Sequence, residues 1–221
     1  MYKYLYGKKK YLKDFLKGRQ GLRFSDIAHY SIMENKKMRD DELSKDFVYD
    51  KNSIVLCLSG IEIGAESMAT NPVFTVMPDR CFCLCLSGKK NDPALFSRFK
   101  ADICLEIDID KLVEFLTFAL GGSNFSDMRV LHGEVTYYPS VISKDTPDIM
   151  SALFYKREKY SVEEEYRVAI IIPPNRETFR TAGGETVPIF TNDSKNLRHL
   201  FVNGPDYQTN LYSLVSVGYP L

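Results

Sequence analysis

The stretch that decides the fold is SVEEEYRVAIII, residues 161–172. Its second half is apolar at both sets of alternating positions, which is typical of a strand in the middle of a sheet. Its first half places Glu163, Glu165 and Arg167 at every second position, so a strand would turn these side chains to one face. We therefore predict a strand over residues 163–172 that runs from a rim into the core, with the three charges at the mouth of a cleft.

The three charges at the start of this strand are compatible with several kinds of site. Two carboxylates one strand step apart disfavour each other's ionisation unless a cation compensates, and Arg167 is placed to do so. The group could be a solvent-exposed ion pair worth less than about 1 kcal/mol. It could also bind a polyol or ribose, or stabilise a cationic transition state.

Strand-like and helix-like patterns alternate irregularly on both sides of this stretch. The clearest strands are residues 80–87, apolar on both faces, and residues 103–107. Further strands are predicted at residues 22–25, 54–59, 130–138, 187–190 and 198–202, and helices at residues 8–17, after Asp92-Pro93, after Asp110, at 148–160 and at 204–215. Because these elements do not repeat as βαβ units, we predict an α+β fold. We expect one domain over residues 1–221, with a mixed or mostly antiparallel central sheet flanked by short helices.

Residues 26–52 are polar and carry charges of both signs. They show no regular apolar period, so we predict a mobile polar insertion here. Within it, Asp40-Asp41-Glu42 is interpreted as a charged run in a loop.

Composition narrows the classes of function. Lys+Arg and Asp+Glu both total 29, and this balance argues against a strongly electrostatic nucleic-acid-binding protein. We interpret the lysines at positions 8–10 as the solvent-facing side of the first helix. The first twenty residues lack the apolar core of a signal peptide, and no apolar run approaches the roughly 20 residues of a membrane helix. The five cysteines have no zinc-binding spacing and are expected in the core, so we predict a reduced, cytoplasmic protein without membrane contact.

Other polar residues could carry chemistry with a weaker pattern. Glu106, Asp108 and Glu134 could hold Mg²⁺ in a metal-dependent nuclease or phosphoesterase. Glu106, Asp108 and Asp110 also alternate at a predicted strand–helix junction and could bind Mg²⁺, but helix capping by Asp110 and a solvated sheet edge are the simpler interpretation of this acidic run. His132 shares a strand face with Glu134 and could form an acid–base pair with it. Because the acidic residues have a simpler interpretation, we predict no metal site. Because no phosphate-binding or dinucleotide-binding motif is found, we predict no certain cofactor.

Lys156, Tyr160, Glu163, Glu165 and Arg167 form the pattern Lys-x3-aromatic-x2-E-x-E-x-R. This pattern resembles the most specific element of a bacterial and phage family of unknown function, the domain-of-unknown-function family numbered 2971, and several other segments resemble that family in the same order. Looser matches are Tyr2-Lys3-Tyr4, Leu22-Arg23-Phe24-Ser25, Cys85-Leu86-Ser87, residues 95–99 and 103–108, Val135-Thr136-Tyr137 and residues 201–205. The resemblance covers most of the chain loosely.

The E-x-E element also looks like the acidic motif of ADP-ribosyltransferases, and this resemblance implies such a fold with NAD as a substrate. It implies that Glu165 stabilises an oxocarbenium-like transition state and that Glu163 assists the acceptor. Arg23 or Arg167 would hold the NAD phosphates. Ser25 would support the motif, and Tyr160 would belong to the binding site. The expected function is thus an NAD-consuming enzyme of a toxin or phage-conflict system. The alternatives are a non-enzymatic module that binds a ligand or a protein, and the metal-dependent hydrolase.

Overall fold

The computed structural model describes residues 1–32, 42–122, 125–143, 148–181, 183–193, 195–202 and 215–218, and it has an α+β fold. The α-helices are α1 (Lys9–Leu16), α2 (Pro93–Phe99) and α3 (Ile109–Leu120). The strands are β1 (Tyr2–Gly7), β2 (Leu22–Asp26), β3 (Lys45–Val48), β4 (Leu56–Leu58), β5 (Ile61–Ile63), β6 (Val73–Val76), β7 (Cys81–Ser87), β8 (Ile103–Asp108), β9 (Arg129–Glu134), β10 (Thr136–Tyr138), β11 (Tyr155–Arg157), β12 (Glu165–Ile171), β13 (Thr178–Arg180), β14 (Thr186–Pro188), β15 (His199–Val202) and β16 (Val215–Gly218). Short 3-10 helices span Ile27–Ile32, Ala65–Ser67, Ile149–Phe154 and Glu158–Glu163. None of the described helices combines the length and the apolar character that a membrane crossing requires.

The main sheet is antiparallel and forks at its central strand, β7. One edge of β7 pairs along its whole length with β12, which in turn pairs with β9. On the other edge, β2 pairs with Phe82 and Cys83, whereas β1 pairs with Ser87. One branch of the sheet continues from β2 to β15, and the other from β1 to β8 and β16. Residues 84–86 therefore lie between the two branches, with no strand partner on that edge in the described part of the chain.

The two faces of β7 and β12 pack against different layers. One face contributes Leu84 and Val168 to the large apolar core, where Leu112 of α3 is fully buried. The opposite face contributes Ala169 to a smaller cluster that contains Ile27. Burial of each large aliphatic side chain stabilises the fold by about 1.5–3 kcal/mol. The double-sided apolar character predicted for both strands is therefore confirmed.

The predicted fold class is confirmed, since the sheet is mostly antiparallel and its helices are short. Helices α1 and α2 and strands β7 and β8 lie within a residue or two of their predicted bounds. Asp92 caps α2 as predicted, because its Oδ1 accepts from the backbone N–H groups of Ala94 and Leu95 at 2.7 and 3.1 Å.

Some local predictions were wrong because longer-range packing prevailed. Residues 148–160 do not form one helix, since β11 interrupts them and pairs in parallel with β10. The predicted strand over residues 130–138 is divided at Val135 into β9 and β10, which belong to different sheets. Asp108, rather than Asp110, precedes α3 and accepts from the N–H of Lys111. The short β4 hairpin is largely exposed, and Cys57 lies on the surface instead of in the core.

Part of residues 26–52, predicted as a mobile polar insertion, is built into the core. Ile27–Ile32 forms a 3-10 helix, and β3 pairs with β6. Ile27 and Phe47 are buried completely or nearly so. Residues 33–41 of this segment, like most of the helix predicted at 204–215, lie outside the described residues.

Candidate functional site

A cavity of about 370 Å³ opens in the fork of the sheet, between β1 and β2. Most of its wall is apolar or aromatic, and it is formed by Leu5, Tyr6, Tyr11, Leu12, Phe15, Leu22, Tyr30, Leu84, Leu86, Phe99 and Phe201. Four buried charged side chains, Glu42, Lys156, Glu163 and Glu165, line its inner end. The unpaired edge of residues 84–86 leaves the space in which this cleft forms.

The two glutamates reach the cleft from different elements. Glu165 is the first residue of β12, opposite Ser87 of β7. Glu163 ends the preceding 3-10 helix, and Glu164 between them has a left-handed backbone with φ 41°. The strand predicted to begin at Glu163 therefore begins at Glu165, because the turn at Glu164 breaks the alternation. Both carboxylates nevertheless meet at Lys156, whose Nζ donates to Glu163 Oε2 at 2.9 Å and to Glu165 Oε2 at 2.8 Å.

These residues belong to an alternating chain of seven charged side chains. In order, the ion chain is Lys45, Glu42, Arg167, Glu165, Lys156, Glu163 and Arg98. Arg167 links Glu42 to Glu165. Two of its guanidinium nitrogens donate to Glu42 at 2.7 and 2.8 Å, and its Nε donates to Glu165 at 2.6 Å. Each carboxylate thus lies between two cations, which compensates for the removal of the charges from water.

Burial and ion pairing act in opposite directions on the pKa values of this chain. Burial raises the pKa of Glu42, but Arg167 and Lys45 outweigh it and lower that pKa from its ordinary 4.5 to about 2. Burial likewise opposes ionisation of Glu165, whose pKa the neighbouring Arg167 and Lys156 hold well below its ordinary value. Burial would lower the pKa of Lys156, whereas Glu165 and Glu163 raise it well above its ordinary value. These side chains are therefore charged at neutral pH.

Four of the six predicted site residues line the cleft, and the other two do not. Glu163 and Glu165 line the cleft and are buried, so the interpretation as a solvent-exposed ion pair at the rim was wrong. Arg23 and Ser25 also line it, Arg23 as an exposed side chain. Arg167 and Tyr160 are buried behind this wall.

Arg167 contacts the cleft-lining residues Glu165 and Glu42. Tyr160 contacts the cleft-lining Lys156. Arg167 is 1% exposed and donates to Glu165. The ring of Tyr160 has its centroid 4.6 Å from Lys156 Nζ. Both residues can position the charged groups of the cleft but do not line it.

Sequence reasoning missed Glu42, Lys45 and Arg98, and it named Lys156 only as part of a motif. Glu42 was interpreted as part of a charged loop, yet it is 2% exposed and binds Arg167. The single usable signal was the lysine of the motif, which lies seven and nine residues before its two partners. Glu42 and Lys45 are only three positions apart. By contrast, the contacts of Glu42 with Arg167 and of Arg98 with Glu163 bridge distant segments, and no local pattern indicates them.

The residues proposed for a metal site do not come together. Glu106 binds Lys90, Asp108 caps α3, and Glu134 binds Lys3. Within the part of the chain that the structure describes, no group of three or more His, Cys, Asp or Glu side chains could hold a metal ion.

The proposed acid–base pair of His132 with Glu134 has no support in the contacts. His132 Nδ1 instead lies 2.7 Å from the hydroxyl oxygen of Tyr166, and Glu134 pairs with Lys3. Both residues lie on β9, and neither lines the cleft.

No protein-family model, no curated protein and no solved structure matches this chain. The relation to the family numbered 2971 therefore remains a prediction from motifs.

Proposed function

We propose that the cleft binds a small hydroxyl-rich molecule, such as a ribose-containing compound, whose hydroxyl groups donate to Glu165 and Glu163. The observation that carries this proposal is the meeting of two carboxylates at the inner end of a cavity of about 370 Å³. That volume lies within the roughly 300–1,000 Å³ of ligand pockets. Ionised carboxylates are pure acceptors, and hydroxyl groups are their natural partners.

Glu165 retains acceptor capacity within the ion chain. Its Oε1 accepts from Arg167 and its Oε2 from Lys156. Each carboxylate oxygen has two lone pairs, so one acceptor position on each remains for a ligand. Because Arg167 and Lys156 already neutralise Glu165, a neutral hydroxyl group suits the remaining acceptor positions better than a further cation.

The walls of the cleft favour a ligand with a flat apolar part. Leu22 and Leu84 line it together with the rings of Phe15 and Phe99. Such walls pack against a heterocycle, while the few polar groups fix its orientation. A nucleoside-like molecule combines a planar base with a hydroxylated sugar and therefore matches both parts of the cleft.

NAD cleavage is the second candidate function, and the ionised state of Glu165 favours it. In this reaction the bond between C1′ of the ribose and the nicotinamide nitrogen breaks, and its electron pair leaves with nicotinamide. Water or another acceptor oxygen forms the new bond to C1′ and releases a proton. A carboxylate beside the cationic sugar can stabilise the transition state by up to about 3–4 kcal/mol, and the pairing of Glu165 with Arg167 and Lys156 reduces this contribution.

Ligand binding is tested by calorimetry with adenosine, ribose and NAD on the wild type and on Glu165→Gln. We expect the variant to lose affinity at least about tenfold, since it removes a charge-assisted hydrogen bond worth about 1.5–3 kcal/mol. Glu134→Gln is the matched control, because Glu134 lies on β9 and its side chain is 76% exposed. Ser25→Leu is a second test, since the larger side chain narrows the cleft and should abolish binding; its thermal melting must match the wild type, because Ser25 is buried in β2. Failure of the wild type to bind any of these compounds would refute the proposal.

NAD cleavage is tested by following nicotinamide release from NAD, with and without cell lysate as a source of acceptor. Release by the wild type that Glu165→Gln loses would support the enzyme. Binding without release by a folded protein would leave the cleft as a binding site and refute the enzyme.

A further inference from the structure

Positive charge is concentrated in one short part of this electrically neutral chain. Residues 8–23 contain seven basic side chains and one acidic side chain, although the formal net charge of the protein is zero. The seven are Lys8, Lys9, Lys10, Lys13, Lys17, Arg19 and Arg23, on α1 and the segment that leads into β2. Within the described ranges, none of the seven has an ion-pair partner. We call them the basic surface.

The positive charges of α1 are balanced only in part within the helix. Lys9, Lys13 and Lys17 are exposed and follow one another at intervals of four residues along α1 and its C-terminal cap. Like charges at this spacing destabilise a helix by about 0.2–0.5 kcal/mol per pair. Asp14 is the one acidic residue among residues 8–23, and Asp102 accepts from the backbone N–H of Lys9. This excess of positive charge favours an anionic partner.

The basic surface borders the cleft and carries exposed aromatic rings. Lys8, Tyr11 and Arg23 line the cleft, and Tyr11 is 71% exposed. Phe201 lines both the cleft and a neighbouring depression of about 520 Å³, which Arg19 also lines. Three cations of the basic surface and two aromatic rings therefore line the cleft or the depression beside it, together with Asp14.

We propose that the basic surface binds single-stranded nucleic acid, with phosphates on its lysines and arginines and bases stacked on Tyr11 and Phe201. A positively charged groove flanked by aromatic side chains is the usual design of such sites. Seven cations exceed what a single nucleotide can engage, which favours a strand over a free nucleotide. Paired bases are stacked on one another and cannot cover these rings, so a duplex fits less well.

This partner differs from the expectation based on net charge. A net charge of zero averages over segregated groups: the buried ion chain is internally paired, whereas the basic surface is not. Binding depends on the local field and not on the average. The proposal does not depend on the ligand proposed for the cleft.

Binding is measured by fluorescence anisotropy with labelled oligo-dT and oligo-U of about 12 nucleotides, and with a DNA duplex of the same length. Each phosphate contact to a single strand contributes about 0.7 to the slope of log affinity against log salt. With about five contacts, affinity should fall about 100-fold between roughly 50 and 200 mM salt. Both single strands should bind more tightly than the duplex.

Two triple variants with equal charge change separate the basic surface from general charge. Lys9→Gln/Lys13→Gln/Lys17→Gln should weaken binding at least about tenfold and reduce the salt slope by about 2. The control neutralises three exposed basic side chains that line none of these depressions, Lys111→Gln/Arg129→Gln/Lys159→Gln, and should change affinity less than about threefold.

The aromatic contribution is tested by Tyr11→Ala. This variant should weaken binding about tenfold without changing the salt slope, because stacking involves no phosphate. Thermal melting of each variant must match the wild type, since all of these side chains are exposed.

Several outcomes would overturn the proposal. They are absent binding at about 50 mM salt, equal losses in the two triple variants, duplex binding as tight as that of single strands, and polyphosphate that competes as well as the oligonucleotides. Lys9→Gln/Lys13→Gln/Lys17→Gln should leave adenosine affinity unchanged, because none of these three side chains lines the cleft, so a failure here is distinct from a failure of the cleft ligand.

Discussion

Arg167 and Glu42 form a two-point ion pair inside the protein, although 125 positions separate them in the chain. The two contacts measure 2.7 and 2.8 Å, and neither side chain is more than 2% exposed. Arg167 also donates to the carbonyl oxygen of Leu153 at 2.6 Å. The pair therefore joins the segment before β3 to the central strand β12 and holds Glu165 in place.

Removal of Arg167 should be strongly destabilising. In Arg167→Met, Glu42 and Glu165 each lose a cation in a buried environment, and we expect the free energy of unfolding to fall by about 3–5 kcal/mol. Urea denaturation measures this change. The control is Arg176→Met, which removes an ion pair with Asp127 that is partly exposed and should cost less than about 1 kcal/mol. Equal losses in the two variants would show that the ion chain does not support the fold.

Glu42 should make the free energy of unfolding depend on pH in the acidic range. Arg167 and Lys45 overcome the effect of burial and lower its pKa from 4.5 to about 2 in the folded state. A depressed carboxyl pKa stabilises the fold fully above about pH 4.5, and this contribution is lost as pH falls toward 2. The stability difference between wild type and Glu42→Gln should therefore shrink from pH 6 to pH 2. A difference that is constant over this range would contradict the prediction.

His199 should affect stability at a higher pH. Burial, then Arg23 and His29, lowers its pKa from 6.5 to about 4. As the pH falls below 6.5, His199 binds a proton in the unfolded chain, whereas in the folded chain it does so only near pH 4. The free energy of unfolding therefore falls between about pH 6.5 and pH 4. His199→Gln should reduce that slope in denaturation curves measured at pH 7, 5.5 and 4. An identical slope in the variant would rule out this contribution.

The helix α3 offers a direct test of core packing. Leu112 is fully buried, so Leu112→Ala should lower the free energy of unfolding by about 2–5 kcal/mol. Phe118 lies on the same helix but is 84% exposed, and Phe118→Ala should change stability by less than about 0.5 kcal/mol. Comparable losses would mean that α3 packs through a different face.

Local patterns predicted much of the fold. The double-sided apolar runs identified β7 and β12 as central strands, and Asp92 identified the start of α2. The acidic strand start also led to Glu163 and Glu165, which do line the cleft. These predictions succeeded because residue spacing and helix caps act over a few neighbouring residues.

The candidate site was less predictable because its contacts bridge distant segments. Glu42 was interpreted as a loop residue, and Arg98 binds Glu163 across 65 positions. The turn at Glu164 removes Glu163 from the strand, although alternation alone places it there. Neither spacing nor charge order reveals which segments the sheet brings together.

The sequence by itself determined which segments become central strands and short helices, because apolar period and capping are local properties. Only the tertiary structure decided that the sheet forks around residues 84–86 and encloses a cleft. It also decided that charged side chains from five separate segments pair with one another in a single ion chain. The physical reason is that buried charges are stable only where packing brings each one to its partner, and that match depends on the whole fold.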